Sequence, residues 1–489
     1  MMFANAILTI DEMYRADAAA IEAGTPGLEL MENAGCAITE AIIERWTPRP
    51  TTILCGPGNN GGDGFVVARM LEQRGWPVKL ALLGAQSALK GDAASNAERW
   101  AGEVSALSID MLDDAELVVD ALFGAGLTRA VDGIAAEVIE AINARWIPCV
   151  AVDIPSGIHG DSGDIMGTAP RADLTVTFFR PKNGHFLMPG RLYRGELVVA
   201  DIGIAEQVLD DIRPTSWING ATLWAGRFPW PSADGHKYSR GHAVITGGEQ
   251  MTGAARLAAT AARRVGAGLA TIATPPRAFA IYAGSEPGNL VAEIEDASAF
   301  AELLSDSRRN AVLVGPGAGI GARTRDKVLA ALKSKKACVL DADALNSFAD
   351  SPKTLFDAIQ SPCVLTPHEG EFGRLFGTID GDKVARAGQA AAQSGVVIVL
   401  KGADTVIAAP DGNIVINDTG TPFLATAGSG DVLAGMIIGL LAQGMTAYDA
   451  ACAGVWVHGI LAENFGPGLI AEDLLDEIPD VLAELIEMD

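Results

Sequence analysis

The chain has 489 residues, 49% of them hydrophobic, and a formal net charge of −25 at pH 7. That length carries roughly two to three domains with full cores, and so acidic a balance excludes nucleic acid as the main partner, because counterion release from phosphates needs clustered Lys and Arg. The six cysteines (Cys36, Cys55, Cys149, Cys338, Cys363 and Cys452) are scattered without a CxxC pair and read as buried thiols of a reducing compartment. In the stretch MMFANAILTIDEMYRADAAA no basic region precedes an apolar core, and the apolar run Val432–Ala442 is too short to span a bilayer. The expectation is a soluble, cytoplasmic protein with no membrane partner, built from close-packed α/β layers rich in Ala and Gly.

Residues 9–45 read as two helices. Thr9 followed by Glu12 makes a capping box, and Pro26-Gly27 separates the helices. Glu32 and Asn33 on the second are either a solvated or capping pair or part of a neighbouring site. Thr51–Cys55 reads as a strand leading into GPGNNGGDGFVVARMLEQRG. This is strand, Gly-rich turn, helix, the arrangement in which backbone amides and a helix N-terminus receive a phosphate. The run is not GxGxxG, and the chain has no GxxxxGK[ST]. Asn59, Asn60 and Asp63 add polar side chains where a plain phosphate loop needs only glycine, and an Asn oxygen can ligate a hard cation. Leu117–Leu122 leads into FGAGLTR, and Cys149–Asp153 into IPSGIHGDSG. Asp120 and Asp153 close these strands, either as caps of the next turn or as site residues. The loops 56–64, 123–130 and 153–160 are expected to converge on one crevice at the carboxyl ends of a parallel sheet. Thr175–Phe179 and Leu197–Asp201 read as the last strands of this half, and Lys182 in RPKNGH is either a phosphate contact or a surface lysine.

Together GPGNNGGDGFVVAR, VVDALFGAGL, VDIPSG and FFRPKNGH, spread over about residues 9–205, resemble the YjeF N-terminal family, the NAD(P)H-hydrate epimerases. The resemblance implies a Rossmann-like doubly wound three-layer domain. It implies that Asn59, Asn60, Gly61, Gly62 and Asp63, with Gly124, Ala125, Gly126, Leu127, Thr128, Arg129 and Ala130, contact a hydrated dinucleotide. Asn60, Asp120 and Ser156 are implied to hold a potassium ion. Asp153 is implied to contact substrate, and is the acid/base candidate for inversion at C6 of the nicotinamide ring. The chemistry agrees, since inversion at a carbon bearing a hydroxyl beside nitrogen needs a proton-transfer group and a polar cradle.

From Ala205 to Ser232 the strand–helix rhythm breaks, and Pro214, Trp217, Trp224, Pro229, Trp230 and Pro231 fall here. A crossover between domains, packed on a surface by its tryptophans, is expected, with domains at 1–214 and 215–489. The second half again alternates apolar strands with helices. His242–Thr246 ends in Gly247-Gly248, MTGAARLAATAARRVGAG reads as a helix, and Leu269–Thr274 follows. Ala311–Val314 runs into GPGAGIG, Cys338–Leu340 into DADALN, Val364–Thr366 into PHEGEF and Val396–Leu400 into KGADT. Asp404–Ala409 and Asn413–Ile416 read as a hairpin. Gly315 and Gly317 suit close approach of a ligand, and Lys401-Gly402 suits a diphosphate. His368 is scaffolding or a substrate contact. Asp341 and Asp343 support a cation or organise a loop.

The stretch Thr421–Gln443, TPFLATAGSGDVLAGMIIGLLAQ, places small residues and glycines before Asp431, where the pattern turns apolar and helical. Backbone N–H groups and the positive end of a helix dipole would face an anion there, with a base beside it, which suits phosphoryl transfer to a hydroxyl. With HKYSRGHAVITGG, MTGAAR, GPGAG, DADALN, TPHEGEF and KGADT in that order over about residues 225–485, it resembles the ribokinase-like, ADP-dependent NAD(P)H-hydrate dehydratases. The family has glycines where Phe423 and Ala427 stand. The resemblance implies that Gly253, Ala254, Gly317, His368 and Asp431 face the hydrated dinucleotide, with Asp431 as catalytic base. Lys401, Gly402, Ala403, Asp404, Thr405 and Gly430 are implied to bind the adenine nucleotide, ADP, which magnesium accompanies. The implied protein is an α/β fusion of epimerase and dehydratase acting on NADHX and NADPHX, and a homo-oligomer is expected. The alternatives are a ribokinase-like kinase of a small alcohol, and a first domain used only for nucleotide sensing or assembly.

Overall fold

The computed structural model describes residues 3–488. The chain divides into two compact units, Met1–Trp217 and Ile218–Asp489. Among the described residues no helix is long and apolar enough to cross a membrane.

In the first unit the helix Ile10–Glu22 starts at the expected capping box, with Glu12 N–H donating to Thr9 Oγ1 (3.2 Å) and Thr9 N–H to Glu12 Oε2 (2.8 Å). The helix Gly27–Arg45 follows. On it Glu32 pairs with Arg69 at 2.6 Å, and Asn33 donates to the Ile202 carbonyl at 2.8 Å, so both act as scaffolding. A seven-stranded sheet runs in the order Val104–Ala106, Val78–Leu82, Thr51–Cys55, Leu117–Ala121, Cys149–Val152, Leu174–Phe178, Glu196–Ala200, every neighbouring pair parallel. Its middle strands are buried throughout, as continuous apolar runs in a doubly covered parallel sheet must be. From Thr51–Cys55 the chain goes outward on one side and returns on the other, so the strand order reverses between Thr51–Cys55 and Leu117–Ala121. Such a switch point opens a crevice at the carboxyl ends of the strands.

One local expectation changes. The NNGGDG run is not a turn: the helix Asn59–Gln73 begins at its first residue. Its glycines serve close packing. A Cβ on Gly61 would overlap the Gly56 carbonyl, and one on Gly64 would come within 2.8 Å of both Ala121 Cβ and Cys55 Sγ.

The second unit holds strands in the order Ile414–Ile416, Val406–Ala408, Val397–Leu400, Cys363–Leu365, Ala337–Leu340, Ala311–Val314, His242–Thr246, Leu269–Thr274, Leu290–Glu293. They pair in parallel from Val397–Leu400 onward, with the expected antiparallel hairpin added at the other end. The order reverses between His242–Thr246 and Ala311–Val314. The loops after these two strands touch so closely that a Cβ on Gly248 would overlap the Gly317 carbonyl. The part of the Trp- and Pro-rich stretch that lies in this unit packs into it through Trp224. Trp224 is 1% exposed and donates to Asn219 Oδ1 at 3.3 Å, while Asn219 donates to Asn417 Oδ1 and the Cys452 carbonyl at 2.9 Å each.

The helices Thr252–Arg264 and Ser429–Ala442 lie against each other through small residues. A Cβ on Gly435 would sit 2.6 Å from Ala258 Cα, and one on Gly439 2.8 Å from Ala262 Cα. The partners advance in step, so the helices run parallel in fixed register. Gly435→Val should therefore cost about 1–3 kcal/mol through overpacking, outweighing the few tenths gained by removing a helical glycine. Urea unfolding of the second unit should show the lower midpoint.

Candidate active sites

At the switch point of the first unit lies a cavity of about 520 Å³. Of the residues singled out in the sequence, Asn59, Asn60, Asp63, Gly124, Ala125, Gly126, Leu127, Thr128, Arg129 and Asp153 line it. Gly61, Gly62 and Ala130 do not: Gly61 packs on Gly56, and Gly62 on Met31 and Ala93. Of the loop 153–160 only Asp153 reaches the cavity.

Asp153 directly follows its strand with φ of 66°, in the left-handed region that non-glycine residues seldom occupy. Its Oδ1 accepts from Lys182 Nζ (2.6 Å) and Thr177 Oγ1 (2.9 Å), and its Oδ2 accepts from the Ala125 N–H (3.2 Å). His185 Nδ1 accepts from the Lys182 N–H at 2.9 Å, which leaves Nε2 to donate to the Asp153 carbonyl at 2.9 Å. Burial drives His185 down to about 4, so it is a neutral brace. Burial pushes the Asp153 carboxyl up, but the charge and hydrogen bond of Lys182 outweigh it and hold the carboxyl below 3.8. Lys182 is 2% exposed. It is no surface lysine, and its ammonium is spent on Asp153 and Thr177 (2.9 Å). Sequence reasoning missed this pairing. Asp17 was missed too. It lines the cavity from the helix Ile10–Glu22, and burial raises its carboxyl to about 6.

Beneath the cavity Asp120 and Ser156 are fully buried. Asp120 Oδ1 accepts from Ser156 Oγ (2.7 Å) and Oδ2 from the Ser156 N–H (2.8 Å), and burial raises its carboxyl to about 6. The Asn60 Nδ2 is buried without a partner, and its Oδ1 lies 3.2 Å from where a Cβ on Gly124 would stand.

In the second unit Gly428, with φ of 92°, caps the helix Ser429–Ala442, and Asp431 lies in the first turn. The register set by Gly435 against Ala258 puts Asp431, one turn earlier, level with Ala254, which stands beside Gly253 at the start of the facing helix. Gly317 approaches the same start, since a Cβ there would come within 3.0 Å of Met251 Cβ. Burial raises the Asp431 carboxyl to about 6; the charges of Asp341 and Asp343 add to this, and Lys401 opposes it. Lys401 Nζ donates to Asp341 Oδ1 at 2.8 Å, and Thr366 Oγ1 donates to the same oxygen at 2.8 Å. A Cβ on Gly430 would be 3.6 Å from Lys401 Nζ, so an ammonium sits against the amides of the helix start. Burial lowers Lys401, but Asp341 overcomes this and carries it above its ordinary value.

Around this centre Ser429 Oγ lies 3.0 Å from His458 Nε2, and burial drives that histidine down to about 4. Asp343 Oδ2 accepts from the Gly319 N–H at 2.8 Å, so Asp341 and Asp343 both organise the surrounding structure. His368 caps the helix Glu369–Phe376, its Nδ1 accepting from the Gly370 N–H (3.0 Å) and the Glu371 N–H (3.3 Å), while its side chain remains exposed. In the KGADT loop the Gly402 N–H donates to Thr405 Oγ1 at 3.1 Å, and Asp404 accepts from the buried Lys383 at 2.5 Å. Lys383 was also missed. Its signal is a lysine on the apolar face of the helix Lys383–Ser394, among Val384, Ala387, Ala390 and Ala391, where a charge needs a partner.

A crevice governed by an ionised aspartate, and a helix start flanked by an ammonium and an aspartate, define an α/β enzyme with two sites for anion and proton-transfer chemistry. Residues 27–184 match the family of the YjeF-related protein N-terminus, and residues 242–480 match the NAD(P)H-hydrate dehydratase family. The bifunctional NAD(P)H-hydrate repair enzyme of Moorella thermoacetica is 39% identical, covering 98% of this chain and 97% of its own, and that of Escherichia coli is 34% identical, covering 93% and 89%. The crystal structure of the ADP/ATP-dependent NAD(P)H-hydrate dehydratase from Bacillus subtilis, co-crystallised with ATP and Mg²⁺, superposes with a TM-score of 0.50 at 31% identity, covering 55% of this chain and 98% of that one. The chain belongs to the bifunctional NAD(P)H-hydrate repair enzymes, which sets aside the small-alcohol kinase.

Lys182→Met should leave Asp153 buried without its cation. Its carboxyl should then titrate above 3.8 instead of below, and the first unit should lose about 3–5 kcal/mol. In the wild type the depressed carboxyl adds stability that is complete above the unfolded value and is lost as pH falls through the lower folded value. Carboxyl NMR titration and urea unfolding at several pH values should show that acid-side loss in the wild type and its absence in the variant.

Proposed function

We propose that the protein restores hydrated nicotinamide dinucleotides to use. Residues 1–214 interconvert the R and S epimers of NADHX and NADPHX, and residues 215–489 dehydrate the S epimer with ADP, giving NAD(P)H, AMP and phosphate. The observation that carries this reading is Asp431 in the first turn of a helix whose start is flanked by Lys401. A carboxyl raised to about 6 is a competent base near neutral pH. Asp431 takes the proton of the ring hydroxyl, and the freed oxygen attacks the β-phosphorus of ADP as AMP leaves. The helix amides and Lys401 stabilise the charge gathering on the transferred group. The C6–O bond then breaks as phosphate departs, and loss of a proton from the neighbouring carbon restores the ring double bond.

In the epimerase site Asp153, held ionised by Lys182, is the proton acceptor. Asn60, Asp120 and Ser156 fit potassium. Asp120 and Ser156 are bonded to each other and buried, and with the Asn60 side-chain oxygen they would offer the hard oxygen donors such a cation takes. Bound there, the ion would offset the Asp120 charge. Among the described residues no group of three or more His, Cys, Asp or Glu side chains is poised to hold a metal, so magnesium enters on the phosphates of the nucleotide, its usual mode. Lys401, Gly402, Ala403, Asp404, Thr405 and Gly430 would receive ADP. A cytoplasmic homo-oligomer completes the proposal.

Recovery of reduced-nicotinamide absorbance from a mixture of epimers tests the reading. With ADP the wild type should convert the mixture completely. Asp153→Asn should stop with mainly the R epimer left, limited by its spontaneous inversion. Asp431→Asn should lose about 10²–10⁴-fold in dehydration rate. No recovery with ADP or ATP overturns the proposal.

A further inference from the structure

Inversion at C6 needs a proton donor on one face of the ring and an acceptor on the other, and Asp153 supplies one group. The helix Ile10–Glu22 brings another. Ile10, Met13, Tyr14, Asp17 and Ile21 all line the cavity, the spacing of a single helical face. The backbone ties this helix to the Asp153 cluster. The Leu8 N–H donates to the Pro181 carbonyl at 3.0 Å, Leu8 bridges to Lys182 in parallel, and the Ile10 N–H donates to Asp161 Oδ1 at 2.8 Å. The segment that launches the helix is therefore paired with the lysine that holds Asp153. The hydrogen bonds of Lys182 go to Asp153 and Thr177, and Asp17 meets it only as a charge.

We propose that Asp17 is the second catalytic group of the epimerase site, donating a proton to the ring hydroxyl while Asp153 accepts one from the water that replaces it. This deepens the epimerase reading and rests on it. Asp17 protonates the hydroxyl on C6. The C6–O bond breaks with its electron pair leaving in water, and the lone pair of ring N1 forms the C6=N1 bond. Water adds to the opposite face, that pair returns to N1, and Asp153 takes the proton. From the other epimer the proton of Asp17 first passes to Asp153, which then donates it to the hydroxyl while Asp17 accepts one from the incoming water.

The electrostatics fit this division. Burial raises Asp17 to about 6, Lys182 offsets part of the shift and Asp153 adds to it, while Lys182 keeps Asp153 ionised. Carboxyls of one cavity pushed apart in this way mark an acid and a base. Of the other acids lining the cavity, Asp92 turns its carboxylate toward Gly27, with Oδ2 2.5 Å from where a Cβ there would stand, and Asp63 and Tyr14 suit the donor role less well. Burial drives Asp63 well above its ordinary value, with the charges of Asp153 and Asp17 adding to the shift, and pushes the Tyr14 hydroxyl above 10, where a phenol is a poor proton donor near neutral pH.

The test follows the full chain without ADP as one purified NADHX epimer approaches equilibrium. Asp17→Asn should lower kcat by about 10²–10³-fold with KM within about threefold, and Asp17→Glu should regain part of the rate. Dehydration of the S epimer by the same variants should keep the wild-type rate. Epimerisation by Asp17→Asn within about threefold of wild type overturns the inference, as does a loss confined to KM. Loss of dinucleotide binding by both Asp17→Asn and Asp17→Ser overturns it in the same way. A wild-type chain without epimerase activity overturns the underlying reading instead, a result visible before any variant is made.

Discussion

In a parallel sheet every strand ends at the same edge, so every loop that follows a strand opens on one side of the layer. Where the strand order reverses, two such loops diverge and leave a crevice between them. Both units contain such a reversal. In the first, the reversal between Thr51–Cys55 and Leu117–Ala121 puts Asn60, Gly124 and Asp153 around one cavity. In the second, the reversal falls between His242–Thr246 and Ala311–Val314, but there the two loops close on each other at Gly248 and Gly317. Sequence positions far apart become neighbours because strand ends do.

Within that frame charge is controlled by the buried Lys182 and the partly buried Lys401. Removing an ammonium from water costs several kcal/mol, and only close pairing with further hydrogen bonds offsets it. Lys182 meets this condition with Asp153 and Thr177, and Lys401 with Asp341. The consequences differ. Lys182 bonds directly to the reacting carboxylate and keeps it ionised. Lys401 is bonded to Asp341, so it reaches Asp431 only as a charge, and burial together with the neighbouring aspartates prevails there. One carboxylate rests in its basic form until it takes a proton; burial raises the other to about 6.

Much of this was legible in the residues. Strands buried on both faces announce themselves as unbroken apolar runs, and Thr51–Cys55, His242–Thr246 and Ala311–Val314 fall where the sequence puts them. Val78–Leu82, Val104–Ala106 and Leu290–Glu293 escaped notice. Each carries partly exposed positions, and Lys79 and Glu293 interrupt the pattern. The NNGGDG run was read as a turn because its glycines suggest loop conformations, whereas here they allow a helix to press on a sheet. Asp17, and the pairing of Lys182 with Asp153, were illegible for a different reason. A lone Asp on an amphipathic helix, or a Lys after a strand, is by default a solvated residue. Only the long-range pairing of Leu8 with the 181–182 segment turns both toward Asp153.

The helix that carries Asp431 shows how packing far from the chemistry sets the chemistry. A helix turns about 100° per residue and rises 1.5 Å, so a slip of one residue against its neighbour would swing Asp431 out of the site. Larger side chains along that seam would separate the helices and leave them free to slide. Gly435 and Gly439 let the Ala258 and Ala262 backbone approach so closely that a single register survives. That register extends one turn further, to Asp431 beside Ala254. The apolar, glycine-bearing run after Asp431 is thus part of the catalytic arrangement, because it fixes where the base stands without touching a substrate.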